Sequence, residues 1–239
     1  MLKGIVFDKD GVLVDFDQTW VKMLVDMAGE WSGGDEQKNI RLLESAGYDE
    51  SNNSFYSGSV WAAGNTDDLV AAWDETGDAQ YQAELAQFIN QRCLDCEIMP
   101  LFPVEDLQNL FGDLTTRGLK LGLTTNDVEA SAVRTMNDFG LSQFLSLTVG
   151  YDSVANPKPA ADPLLAFGAH CGLEPSRLAV VGDNVHDMEM AQAGGAGVRI
   201  GVLSGNSSAT ELRPHADFLL DNVMDLPHLL AAENLIEMS

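Results

Sequence analysis

The amino-acid sequence predicts an α/β protein: a parallel sheet with helices on both faces, interrupted after its first strand by a helical insert. Three observations carry this. Apolar runs of strand length alternate with segments of helical periodicity over residues 1–15 and 97–239. Residues 16–96 hold helical periodicity and no convincing strand. Acidic, hydroxyl and basic residues sit at the ends of the apolar runs.

The first run, Lys-Gly-Ile-Val-Phe at 3–7, is short, apolar and stops at Asp8, as expected of a buried strand. Similar runs lie at 119–124, 145–149, 178–182 and 198–200, with a weaker one at 218–220. Between them Val104, Leu107, Leu110, Phe111 and Leu114 recur at helical spacing, and Gly118 can close that helix. Residues 128–139 form a second candidate helix, stopped by Gly140. Asp162-Pro163 opens a third, with Asp as N-cap and Pro at the first helical position.

In the insert, Phe16, Trp20, Met23, Leu24, Met27 and Ala28 mark one helix face, and Tyr81, Leu85, Phe88 and Ile89 another. All four tryptophans fall here, so the segment is expected to build its own aromatic core, with one or two rings facing the rest of the molecule. Residues 16–96 are thus expected to form a helical domain, and 1–15 with 97–239 a single core domain. Glycine-containing stretches near 32–35 and 57–65 read as loops, the second carrying Trp61 and suited to covering a site.

Composition narrows the function. With 45% apolar residues in 239, the chain is an ordinary globular protein, and no apolar run reaches the roughly 18 residues of a membrane span. The opening MLKGIVFDKD meets acidic residues too soon for a signal peptide, and three cysteines make no disulfide framework, so a cytoplasmic protein is expected. A net charge of −24 repels nucleic acid and anionic membranes and reads as a solvated acidic surface. Cys93-x-x-Cys96 resembles half of a zinc or redox site, but no second pair exists and His170-Cys171 lies in a different helix, so metal binding is not expected there.

The chemistry gathers where a parallel sheet binds ligands, at the carboxyl ends of its strands. Asp8 and Asp10 follow the first run, within Asp-Lys-Asp-Gly. Thr125 and Asn126 follow the second. Lys158 follows the third, within Asn-Pro-Lys-Pro. Asp183 and Asp187 follow the fourth, within Gly-Asp-Asn-Val-His-Asp. Each element alone is weak: Asp-x-Asp-Gly can be a calcium loop or a turn, Asp183 or Asn184 can merely cap a helix, and Thr124 can replace Thr125. A purely structural reading of the whole set leaves a buried cluster of unpaired acids. Lys9 is expected to point away from Asp8 toward the surface or a second face, and His186 to face solvent.

Together the four segments resemble the four signature motifs of the haloacid dehalogenase-like superfamily. Val-Phe-Asp-x-Asp-Gly-Val-Leu-Val-Asp and Val-Val-Gly-Asp-x-x-x-Asp-Met are most similar to its phosphoglycolate phosphatase and beta-phosphoglucomutase branch. The resemblance implies a Rossmann-like core with an all-helical cap, and a phosphatase acting on a small phosphorylated metabolite, as monomer or homodimer, with Mg2+. Asp8 would form an aspartyl-phosphate. Asp10 would act as general acid and base, its pKa raised by crowding with Asp8. Gly11, Thr125, Asn126 and Lys158 would bind the phosphoryl group. Asp8, the main-chain carbonyl of Asp10 and Asp183 would hold the metal, with Asp187 orienting Lys158 or a metal-bound water. A phosphomutase would use the same motifs, and a phospho-receiver module shares the acids, Thr and Lys on a parallel sheet without the large insert.

Overall fold

The computed structural model describes residues 1–237. Strand β1 (Gly4–Phe7) is followed by α1 (Phe16–Trp31), α2 (Glu36–Ala46), a hairpin of β2 (Tyr48–Asp49) and β3 (Ser54–Phe55), α3 (Val60–Ala63), α4 (Thr66–Trp73) and α5 (Ala79–Asp95). Then come α6 (Val104–Thr116), β4 (Lys120–Thr124), α7 (Glu129–Asp138), β5 (Leu145–Val149), α8 (Asp162–Cys171), β6 (Leu178–Gly182), α9 (Val185–Gly194), β7 (Val198–Val202), α10 (Ala209–Leu212), β8 (Phe218–Leu220) and α11 (Leu226–Ala232).

Six strands form one sheet in the order β5-β4-β1-β6-β7-β8, parallel throughout. The α/β class is therefore as predicted. All four residues of β1 are buried, which explains its unbroken apolar run. Side chains alternate across the sheet: Ile5 and Phe7 join Leu110, Phe111 and Leu230 on one face, and Val6 joins Leu164, Phe167 and Met188 on the other. Phe7 and Phe111 stack with ring centroids 4.9 Å apart. From β1 the chain builds outward through β4 and β5, then returns to β6 on the other side. The strand order thus reverses beside β1, the place where such sheets bind ligands.

Residues 16–96 have a buried cluster of their own, centred on Trp20, Leu24, Met27, Leu69, Trp73 and Leu85. Their helices are ended by local devices. Asp35 accepts from the Lys38 N–H at 3.0 Å at the start of α2, and Gly47 closes it with φ 88°. Two expectations are corrected here. The segment is not wholly helical: Tyr48 pairs with Phe55 and Asp49 with Ser54, strands too short to leave an alternating pattern in sequence. The stretch 57–65 is not simply a loop, because Ser59 caps a helical turn, α3, by accepting from the Ala62 N–H at 3.2 Å.

A third correction concerns α8. It starts at Asp162, with Ala161 at the cap, and the Asp162 carboxylate instead accepts from the Asn156 main-chain and side-chain N–H groups at 3.1 and 3.0 Å. No helix among the described residues is long and apolar enough to cross a membrane.

Candidate active site

The end of β1 delivers Asp8, whose N–H still bonds to the Val181 carbonyl of β6 at 2.8 Å. The chain then turns sharply. Gly11 adopts φ +72°, and Val12, Leu13 and Val14 anchor the turn by burying completely. At the end of β6, Asp183 enters a recess made by two glycines: a Cβ on Gly205 would lie 1.9 Å from its Oδ2, and one on Gly11 would lie 2.5 Å away. The Asn206 N–H donates to Asp183 Oδ2 at 2.9 Å. Helix α9 begins with a reciprocal cap. Asn184 accepts from the His186 N–H at 3.1 Å, and Asp187 accepts from the Asn184 N–H at 3.0 Å. Asp187 is thereby fixed facing the sheet.

Lys158 arrives from the segment between β5 and α8. Its ammonium donates to Asp8 Oδ1 and Asp187 Oδ1, both at 2.7 Å. Oxygens of Asp8, Asp183 and Asp187 lie within 4.8 Å of one another, all three residues buried. Burial pushes the Asp8 carboxyl up to about 7 against the pull of Lys158, with the charges of Asp187 and Asp10 adding to the rise. Burial, then the charges of Asp8 and Asp187, drive Asp183 well above the usual carboxylate range despite the Asn206 N–H. Burial works against the Lys158 charge, yet Asp187 and Asp8 overcome it and the ammonium is held more firmly protonated than usual. Three buried acids against one lysine leave the cluster short of positive charge. This hard-oxygen donor set suits a divalent cation such as Mg2+.

Asp8, Asp10, Thr125, Asn126, Lys158, Asp183 and Asp187 all border one cavity. Gly11 does not; it packs behind Asp183, and its carbonyl accepts from Ser204 Oγ at 2.7 Å. Of the two threonines, Thr125 borders the cavity and Thr124 does not. The Thr125 hydroxyl accepts from the Asp127 N–H at 3.1 Å.

Two side chains lie elsewhere than expected. Lys9 is fully buried rather than superficial. Its ammonium pairs with Asp127 at 2.7 Å and Asp10 at 3.2 Å and sits 4.8 Å from the Trp20 ring centroid. Burial opposes its charge, and Asp10 and Asp127 more than compensate, so its pKa is raised. It points away from Asp8, as strand alternation requires, but the insert covers that side as well. His186 does not simply face solvent. It is half-buried, and its Nδ1 lies 3.1 Å from the Ala63 carbonyl of the insert. The Asn126 side-chain amide donates to the same carbonyl at 2.9 Å.

The raised pKa of Asp10 also has a different origin from the crowding with Asp8 expected from sequence. Burial is the main cause, opposed by Lys9, and Asp127 adds to the rise. The Trp20 indole N–H donates to Asp10 Oδ1 at 2.6 Å. Asp127 and the polar role of Trp20 were not legible in sequence. The one available hint was a cation, Lys9, beside Asp10 with no evident counterion. Cys93 and Cys96 are free thiols, and neither belongs to a metal-binding cluster among the described residues.

Fold and site together define an α/β protein with a parallel sheet and a buried cluster of carboxylates at its strand ends. The model of the haloacid dehalogenase-like hydrolases matches residues 2–195, and the chain belongs to that family. It is 27% identical over 213 residues to phosphoglycolate phosphatase of Escherichia coli strain K12, covering 81% of this chain and 79% of that protein. Among solved structures, a predicted phosphoglycolate phosphatase from Haemophilus somnus 129pt matches with TM-score 0.72 at 19% identity, over 95% of this chain and 97% of that one. CbbY from Rhodobacter sphaeroides, solved with phosphate, matches with TM-score 0.66 at 17% identity, over 95% and 96%. The protein is accordingly an enzyme of phosphatase type.

Proposed function

We propose that the protein is a Mg2+-dependent phosphomonoester hydrolase acting on a small phosphorylated metabolite through a phosphorylated Asp8. The observation that carries this is the Lys158 ammonium bridging Asp8 and Asp187 at 2.7 Å each, with Asp183 alongside. Residues 1–15 and 97–239 serve as the catalytic core and 16–96 as the cap that roofs the cavity.

Asp8 attacks phosphorus, and the bond from phosphorus to the ester oxygen breaks. Asp10 gives that oxygen its proton as the alcohol leaves. Asp10 then takes a proton from water as the water attacks the phosphorylated Asp8, which releases inorganic phosphate and restores both acids. Lys158, the Thr125 hydroxyl and the Asn126 main-chain N–H hold the phosphoryl oxygens. Asp8, the Asp10 carbonyl and Asp183 would hold Mg2+, whose charge when bound offsets the acids and the developing phosphoryl charge. Asp187 keeps Lys158 aimed at Asp8. Burial supplies the raised Asp10 pKa that an acid needs.

The test is hydrolysis of para-nitrophenyl phosphate and of a panel of phosphorylated metabolites. Phosphate should appear in proportion to substrate lost, and EDTA should abolish turnover until Mg2+ is restored. Metal-independent turnover, or isomerisation without phosphate release, would count against the proposal.

A thermal measurement reads the metal site without activity. Asp8 keeps its proton to about pH 7 when folded but releases it near 3.8 when unfolded. The metal-free protein therefore loses stability as pH rises across that window, and the full cost stands above it. Mg2+ binds the ionised acids, so it should raise Tm by about 5 °C at pH 8 and by little at pH 5.

The indole bond to Asp10 is testable as well. Trp20→Phe removes a bond that lowers the Asp10 pKa. The basic limb of the pH–kcat profile should move to higher pH, and kcat should fall about tenfold. An unchanged profile would show that the contact does not act on Asp10.

A further inference from the structure

The cap side of the cavity carries no positive charge. Residues 16–96 contain four basic side chains, and each is paired inside that segment: Lys22 with Asp26, Lys38 and Arg41 with Glu75, and Arg92 with Glu30. None of the four borders the cavity. The cap instead presents Phe16, Trp20, Trp61 and Ile89, with Asn65 and Thr66 as neutral polar groups. The side-chain oxygen of each is already engaged, and neither carries a charge. Asn65 caps α4 by accepting from the Asp67 and Asp68 N–H groups, and the Thr66 hydroxyl donates to Asn90 at 2.6 Å.

The core side brings five acids to the cavity, Asp8, Asp10, Asp127, Asp183 and Asp187, against Lys158. Lys158 is bonded to Asp8 and Asp187, and the buried Lys9 behind the wall to Asp127 and Asp10. The Nδ1 of His186 is engaged with the Ala63 carbonyl. With Lys158 and the proposed Mg2+ committed to the phosphoryl group, a second anionic group on the substrate would lie among acids and aromatic rings with no further Lys or Arg to receive it. Burying an unpaired charge near like charges is strongly unfavourable. Trp61, by contrast, offers a fixed apolar wall. Its ring stands edge-on to Trp20 with centroids 6.0 Å apart and is braced by Phe55 at 6.3 Å.

We infer that the substrate is a phosphomonoester whose leaving group is uncharged and partly apolar, set against Trp61, and not one carrying a carboxylate or a second phosphate. The inference rests on the phosphatase reading above and sets this chain apart from the phosphoglycolate in the name of its relatives.

The experiment compares 2-phosphoglycolate with its primary amide, which keeps the phosphate and nearly the same shape but replaces the carboxylate with an uncharged group. Each is titrated as a competitor of para-nitrophenyl phosphate hydrolysis by the Mg2+-loaded wild-type enzyme, a readout that works whether or not the competitor turns over. The amide should half-inhibit at a concentration about tenfold below that of the acid, since like-charge burial is what separates the two. If the acid competes as well as the amide or better, the inference is overturned and the phosphatase reading stands. If para-nitrophenyl phosphate is itself inert with Mg2+, the phosphatase reading falls and the inference with it.

Discussion

Asp8→Asn is expected to lower the turnover of para-nitrophenyl phosphate by at least about ten-thousand-fold, because the amide can neither attack phosphorus nor carry it between the two half-reactions. The substitution is nearly isosteric, so the fold should survive. It also removes one of three crowded acids, and the carboxyl it removes holds its proton up to about pH 7 as a result of burial. The metal-free variant should therefore be no less stable than the wild type above that pH, even though it is inactive. Two measurements check this: steady-state phosphate release and a thermal melt in EDTA at pH 8. Near-full activity would refute Asp8 as the nucleophile. Lost activity with a collapsed melt would point to a structural role instead.

The second large effect concerns Lys158. Its ammonium is buried, 6% exposed, and its two bonds run to Asp8 and Asp187. Lys158→Met keeps most of the volume and leaves two buried carboxylates without their shared cation. Breaking a buried pair from one side typically costs about 3–5 kcal/mol, which in a chain of this length lowers Tm by about 10 °C. Turnover should fall by about a thousandfold, since the phosphoryl oxygens lose a charged donor and Asp8 is no longer held in place. Raised Mg2+ should restore part of the stability but little of the rate. Lys158→Arg, which keeps the charge in a different shape, should recover most of the stability and less of the activity. A Lys158→Met protein as stable as the wild type would mean that the two ion pairs add nothing to the stability of the fold.

The fold and the chemical centre were legible for the same reason. A strand buried on both faces must be apolar along its whole length, so the runs ending at Asp8, Thr124 and Gly182 announced themselves, and the polar residues just beyond them could only sit at strand ends. What escaped depended on contacts between distant segments. Strand alternation correctly turned Lys9 away from Asp8 but could not say that α1 would lie over that side, burying the ammonium against Trp20 and Asp127. The β2–β3 hairpin, with two residues per strand, is too brief for any periodicity. His186 belongs to a helix whose other residues gave no sign that Ala63 would come within reach. The cause of Asp10's raised pKa was equally hidden, because burial is a property of the assembled chain and not of the Asp-x-Asp spacing.

The double hold on the Ala63 carbonyl has a consequence for sequence variation. Asn126 and His186 grip a main-chain oxygen, an atom present whatever side chain occupies position 63. Both contacts would therefore persist if the cavity-lining side chains at Val60 and Trp61 were changed. Side chains of that one helical turn can thus vary without loss of the two bonds that hold it against the core.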